Sequence, residues 1–333
     1  MDPAPRRRRS RGDQVNGVPG IEAPLNRENW PIAAAMINFG STDAAGTSVQ
    51  EQTAEQWAGT LRQVSDAGFQ HVDPTDSWLR VADLSADRRV EFADVLKDVG
   101  LGMVSLSTAR RSVIDPESGD DNLAYSHRVI DVAAELGVST VSFGLMRALT
   151  AAQAAAVWFW TAQGAVDPDD ASVWRRAVER FRELGEHAES VGVSLALEMY
   201  EDTYLGSADS AVKLVQDIGH SSVGLNPDLG NLLRLHRPVE RWQEMVAKTL
   251  PYASYWHVKS YYRSEDATTG HIATMPAPME SGVINYREAV SFAIAEGYRG
   301  AFCVEHYGGD GLGVSAANRD YLRRILPSEA VSR

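Results

Sequence analysis

Four late stretches decide how this chain folds: VSLALEMY (193–200), VGLNPD (223–228), SYWHVKSY (254–261) and AFCVEHY (301–307). Each is an apolar run of strand length, and each carries one ionisable residue near its C-terminal end: Glu198, Asp228, His257 and Glu305. Charge on a core strand is costly unless something compensates it. One divalent cation held by two glutamates, an aspartate and a histidine would do so. An oxygen-rich set with a single imidazole suits manganese first, with magnesium or cobalt as alternatives.

The same grammar extends outward from these four runs. From Trp30 onward a short apolar run is followed by an amphipathic stretch of helical length, usually closed by glycine. The earlier runs are PIAAAMIN (31–38), FQHVDP (69–74), GMVSLST (102–108) and STVSFGL (139–145), which makes eight in all. Gly68, Gly100, Gly137, Gly192 and Gly300 precede strand runs and suit helix C-caps. Eight strand–helix units predict an α/β fold of (β/α)8 type, a parallel eight-stranded TIM barrel with every strand C-terminus at one rim. An open doubly wound sheet would show a glycine-rich phosphate turn after its first strand, and GxGxxG and GxxxxGK[ST] are both absent.

Composition narrows the function classes. A length of 333 residues suits one barrel domain, expected over 25–333, and a net charge of −13 opposes a nucleic-acid partner. The lone Cys303 excludes an internal disulfide and fits a reducing, cytoplasmic setting. No apolar run is long enough to span a bilayer. Residues 1–24 read as a disordered basic tail. Five arginines against Asp2 and Asp13 give its first 13 residues +3 and leave −16 on the rest.

Strand alternation tests whether the four ionisable residues can converge. Glu198 shares its face with Ser194 and Ala196, Asp228 with Gly224 and Asn226, His257 with Tyr255 and Lys259, and Glu305 with Cys303. All four can point inward at one height. Lys259 then lies near the metal, either polarising substrate or pairing with a ligand carboxylate. His306 faces the other way in a regular strand and enters only through a twist at the strand end. His71 and Asp73 end the second run and are candidates to line the site, while His187, His220 and His236 read as surface residues. Two long connections, 146–170 and 262–285, fall at the same rim. The first carries Trp158, Phe159 and Trp160, expected with Tyr261 and Tyr262 to wall a substrate cleft.

The order Glu, Asp, His, Glu on runs five to eight resembles the xylose isomerase-like TIM barrels, specifically the sugar phosphate isomerase/epimerase group. LALE, NPDLGN, HVKS, CVE and SGVINY carry the likeness. The resemblance implies a divalent-metal-dependent enzyme that abstracts a proton next to a carbonyl of a sugar or oxo-sugar. It makes Glu198 and Glu305 the acid/base pair and Arg263, six residues past the metal histidine, a substrate contact. Two positions that grip the sugar in ketose epimerases differ: Asn231 stands where they carry histidine, and Tyr204 where they carry glutamate. The aromatic load at the rim points to a bulkier substrate. That suits a branch of the same superfamily, the catalytic subunits of C-glycoside deglycosidases, which split a 3-oxo-C-glycoside beside a small β-rich partner subunit. An oligomer is expected on either reading. A nuclease on the related AP-endonuclease barrel is opposed by charge and by only eight histidines, and an inactive scaffold by the intact tetrad.

Overall fold

The computed structural model describes residues 24–331, so the expected tail lies, apart from Pro24, outside the described residues. The strands are β1 Ile32–Ala35, β2 His71–Asp73, β3 Gly102–Met103, β4 Leu106–Ser107, β5 Thr140–Phe143, β6 Ser194–Glu198, β7 Val223–Asn226, β8 Trp256–Val258, β9 Ser260–Glu265, β10 Ile272–Ala277 and β11 Phe302–Val304. The helices are α1 Ala54–Asp66, α2 Ala86–Asp98, α3 Gly119–Glu135, α4 Ala151–Ala155, α5 Ala171–Ser190, α6 Ala208–Ile218, α7 Gly230–Leu233, α8 Trp242–Thr249, α9 Tyr286–Ala295 and α10 Gly311–Ile325. Among the described residues no helix is long and apolar enough to cross a membrane.

All eight expected runs contribute parallel strands. One arc runs β3-β2-β1-β11-β8 and the other β4-β5-β6-β7. The arcs share the third run, which breaks between β3 and β4, and the bridge Thr75↔Ser107 carries pairing past the break. The remaining gap lies between β7 and β8. It is spanned by the bridge Leu225↔Ala253 and by Asn226 Oδ1, which accepts from His257 N at 2.7 Å in place of a ladder bond.

Alternation sorts the core into two layers. Outward residues such as Ile32, Leu195, Leu197, Trp256 and Phe302 pack under the helices in one large cluster. Inward residues form a small second cluster of Ala33, Ala35, Val104, Ala196, Tyr255, Ala301 and Cys303. Small side chains fill the bore because an eight-stranded barrel is only just wide enough for side chains. Helix starts are fixed by side-chain caps, among them Thr53 with Gln56 on α1 and Asp170 on α5.

The two long connections prove partly regular, and one glycine expectation changes. In and just before 262–285, β9 and β10 make an antiparallel hairpin, with Thr274 opposite Arg263 and Ala277 opposite Ser260. The connection 146–170 contains the short α4. Gly300 is not a helix cap. Gly297, at φ +93°, closes α9 instead, while a Cβ on Gly300 would stand 2.2 Å from the Ser254 carbonyl.

Candidate active site

Each tetrad residue sits where the end of a barrel strand puts it. Glu198 is the last residue of β6, Asp228 lies two past β7, His257 is central in β8, and Glu305 follows β11; all four are buried. His257 is the hub. Its Nδ1 lies 3.0 Å from Glu305 Oε1, 3.8 Å from Glu198 Oε1 and 4.0 Å from Asp228 Oδ2. Glu198, Asp228 and His257 each offer a ligand atom within 4.8 Å of the others. Lys259 Nζ pairs with both Asp228 Oδ2 and Glu305 Oε2. Its stem passes so close to Gly230 that a Cβ there would stand 2.5 Å from Lys259 Cγ, which gives the glycine of NPDLGN a steric role.

A second tier orients the first. Asp73 is fully buried; it accepts from Ser107 N (3.1 Å), Ser107 Oγ (2.6 Å) and Tyr255 OH (2.6 Å). Its Oδ2 also lies 3.5 Å from His257 Nε2. A carboxylate behind an imidazole is the usual means of fixing a metal-binding ring. Asp73, His257 and Cys303 also cluster closely, but burial pushes the Cys303 thiol well up, so it stays protonated and a poor ligand. Asn231 Nδ2 donates to Glu198 Oε1 (3.0 Å) and to the Met199 carbonyl (2.9 Å), so it holds a tetrad carboxylate in place.

The electrostatics follow from burial and charge. Burial pushes Glu198 up to about 7, with His257 opposing and the Glu305 and Asp228 carboxylates adding. Burial likewise raises Asp228 against the pull of Lys259. Burial would raise Glu305 too, but Lys259 and His257 outweigh it and hold its carboxyl well below the usual range. His257 and Lys259 are raised far above their ordinary values, because their carboxylate neighbours overcome desolvation.

These residues fit a divalent cation. Asp228 Oδ1 and His257 Nδ1, the ring nitrogen that faces the three carboxylates, are buried and make no hydrogen bond, which is the state of atoms disposed for a ligand rather than for the protein. Above them opens a cleft with about 820 Å³ of empty space, part of it continuous with solvent. Glu198, His257, Glu305 and Asn231 line it, whereas Asp228 and Lys259 stay behind. Thr75, Ser107 and Thr108 give one wall hydroxyls, Phe159, Tyr200 and Tyr307 give another aromatic rings, and Arg110 stands among them.

Several expected contacts go elsewhere. Arg263 donates to the carbonyls of Leu233, Leu235 and Arg237, pinning the hairpin to the chain after α7; strand pairing in β9 fixes that direction. Tyr204 OH donates to the Pro168 carbonyl, and its ring packs edge-on against Trp174, away from the cleft. Trp160 is buried, stacked on Trp158 and edge-on to Tyr261, and neither tryptophan lines the cleft. Tyr261 is buried too, while Tyr262 is exposed and bonded to Ser281. His306 does not line the cleft, and burial lowers its pKa.

Other residues gave weaker signals. Arg110 adopts φ 59°, a strained conformation for a non-glycine residue of the sort that gathers at functional sites, and nothing in TARR announces it. Arg234 is fully buried, bonded through Nη2 to both Glu201 oxygens at 2.8 Å, with its guanidinium over the rings of Phe159, Trp160, Tyr200 and Tyr307. A charge inside NLLRLH was the available clue, since a buried arginine demands a partner.

Comparison with known structures places this geometry. The fold matches a xylose isomerase-like TIM barrel protein from Mycobacterium smegmatis in complex with magnesium, at TM-score 0.87 and 48% identity, over 90% of this chain and 98% of that one. D-psicose 3-epimerase from Clostridium cellulolyticum H10, crystallised with D-tagatose, matches at TM-score 0.62 and 14% identity, over 89% of this chain and 99% of that one. The 3-keto-D-glucoside 4-epimerase from E. coli matches at TM-score 0.61 and 13% identity, with the same coverages of 89% and 99%. At those identities the two epimerases share the fold alone. Among curated proteins no match was found. Residues 61–325 match a family described as the xylose isomerase-like TIM barrel, a span that takes in all four tetrad residues, and the chain belongs to that family.

Proposed function

We propose that this protein is a divalent-metal-dependent sugar isomerase or epimerase that moves a proton at a carbon next to a carbonyl. One observation carries the reading. Of the three tetrad carboxylates, only Glu198 and Glu305 line the cleft, while Asp228 lies behind them against Lys259. The two glutamates can therefore touch a substrate carbon, and Asp228 can serve only the centre. Glu198, Asp228, His257 and Glu305 would hold the ion, which supplies Lewis acidity toward a sugar carbonyl or hydroxyl. The magnesium in the Mycobacterium smegmatis relative makes magnesium the first metal to test beside manganese and cobalt.

The chain's own groups then divide the work. One glutamate takes the proton from carbon and the other returns one on the opposite side or at the neighbouring atom. Asn231 keeps Glu198 aimed, and Asp73 keeps His257 from turning. The hydroxyl wall of Thr75, Ser107 and Thr108 suits sugar hydroxyls, and the rings opposite suit the apolar face of a pyranose or furanose. Because Trp158 and Trp160 are stacked on each other and Trp160 lies against Arg234, nothing in their placement favours an aryl glycoside over a plain sugar.

The test is turnover in deuterated water on a panel of ketoses and 3-oxo-sugars. We expect deuterium at the substrate carbon with the wild type, and loss of turnover by at least about 10²-fold in Glu305→Gln with metal still bound. Efficient conversion without any exchange would mean a hydride shift and would remove the glutamates from proton transfer.

A further inference from the structure

Outside the cleft lining, α3 and α5 meet through a cluster the proposed reaction does not use. His127 and Asp131 sit one turn apart on α3, and Glu183 and His187 one turn apart on α5. The pairs cross: His127 Nε2 lies 3.0 Å from Glu183 Oε1, and His187 Nε2 lies 2.9 Å from Asp131 Oδ1. The two Nδ1 atoms face each other at 2.8 Å.

Protonation follows from that pattern. Each ionised carboxylate only accepts, so each Nε2 must carry its hydrogen. That leaves two Nδ1 atoms at hydrogen-bond distance with one proton between them. Two imidazoles, each backed by a carboxylate on its far nitrogen and each turning its near nitrogen to a common point, reproduce the outer shell found behind metal-bound histidines. About a quarter of each histidine side chain is exposed, 29% for His127 and 24% for His187, and the contact between the two Nδ1 atoms is half-buried, so both rings stand partly in solvent.

We propose that His127 and His187 form a second metal site, for a borderline transition cation such as Zn²⁺, Ni²⁺ or Cu²⁺. The incoming ion takes both Nδ1 lone pairs, the shared proton leaves to water, and solvent fills the remaining positions. Nitrogen ligation excludes magnesium, so this site and the oxygen-rich one in the barrel differ in the ions they prefer. Tetrahedral ligation at about 2.0–2.1 Å sets two nitrogens about 3.3 Å apart, so the pair parts by about half an ångström from its 2.8 Å and both rings turn toward the ion.

Equilibrium dialysis against Zn²⁺ tests this with a count rather than an activity. The wild type should bind one equivalent more than His127→Gln/His187→Gln, and Asp228→Asn, which disables the barrel centre, should keep the surface equivalent. Equal stoichiometry in wild type and the double variant would overturn the proposal. Should the double variant misfold, Cu²⁺ bound to Asp228→Asn gives an independent answer: an electron paramagnetic resonance spectrum split by two imidazole nitrogens supports the site, and a spectrum without nitrogen splitting overturns it.

Discussion

Asp76 shows how one carboxyl can make the whole fold sensitive to pH. Its Oδ1 accepts from Tyr125 OH at 2.9 Å, while its Oδ2 is buried without a hydrogen bond. Burial pushes its pKa up to about 7, and the Tyr125 bond and Arg111 only partly oppose that. Between roughly pH 4 and pH 7 the folded chain therefore holds a proton that the unfolded chain releases, so this group's contribution to stability falls as pH rises through that window. Asp76→Asn should remove the fall, and denaturant unfolding at pH 5 and pH 8 should differ less in the variant than in the wild type. The difference is about 2–3 kcal/mol at most, because only the two units between pH 5 and about 7 count, at about 1.4 kcal/mol each. At this scale the tetrad was legible because alternation along a strand is rigid: Leu195, Leu197, Trp256 and Phe302 face the helices, so Glu198, His257 and Glu305 must face the bore. Arg263 was not legible, since an offset of six residues along the sequence cannot show that the chain has entered a hairpin.

At the scale of elements, the Arg234–Glu201 pair ties the turn after α7 to the segment beyond β6 and supports the aromatic wall of the cleft. Removing one partner leaves a buried charge without compensation. Arg234→Met should cost about 3–5 kcal/mol of unfolding free energy, and adding Glu201→Leu should recover most of it. If the single and double variants lose the same amount, the ion pair is not what holds this region. The eight strand runs could be read from short apolar stretches bounded by glycine. The hairpin β9–β10 could not, because β9 (SYYRSE) is mostly polar, β10 (IATMPA) carries a proline, and the two pair only with each other. The Trp158–Trp160 stack escaped for a related reason: aromatic rings at a rim read as substrate walls until Arg234, distant in sequence, is seen against Trp160.

For the whole molecule, a cation at the proposed barrel centre would bind the folded chain and not the unfolded one, and so would add stability in proportion to saturation. At one hundred times Kd the gain is about 2.7 kcal/mol. Chelation should lower the melting temperature of the wild type by several degrees, and Asp228→Asn should melt alike with and without chelator. An unchanged wild-type melting temperature would mean that the centre holds no ion under those conditions. The barrel itself was legible from periodicity, whereas its irregular closure, with a broken third strand and a single bridge beside β8, depends on contacts that no local pattern encodes. The pairing of β1 with β11 also sets an order in time. Trp30 Nε1 donates to the Gly300 carbonyl across 270 residues, and Ile32 waits for Phe302. At a synthesis rate of about 5–20 residues per second, the first strand emerges from the ribosome roughly a quarter of a minute to a minute before its partner. β4 to β7 can meanwhile assemble from neighbours already made, whereas the edge of β1 stays open to strangers for that interval. Phe302 and Glu305 arrive together, so the nascent chain acquires the last carboxylate of the cleft in the same moment that the edge of β1 is covered.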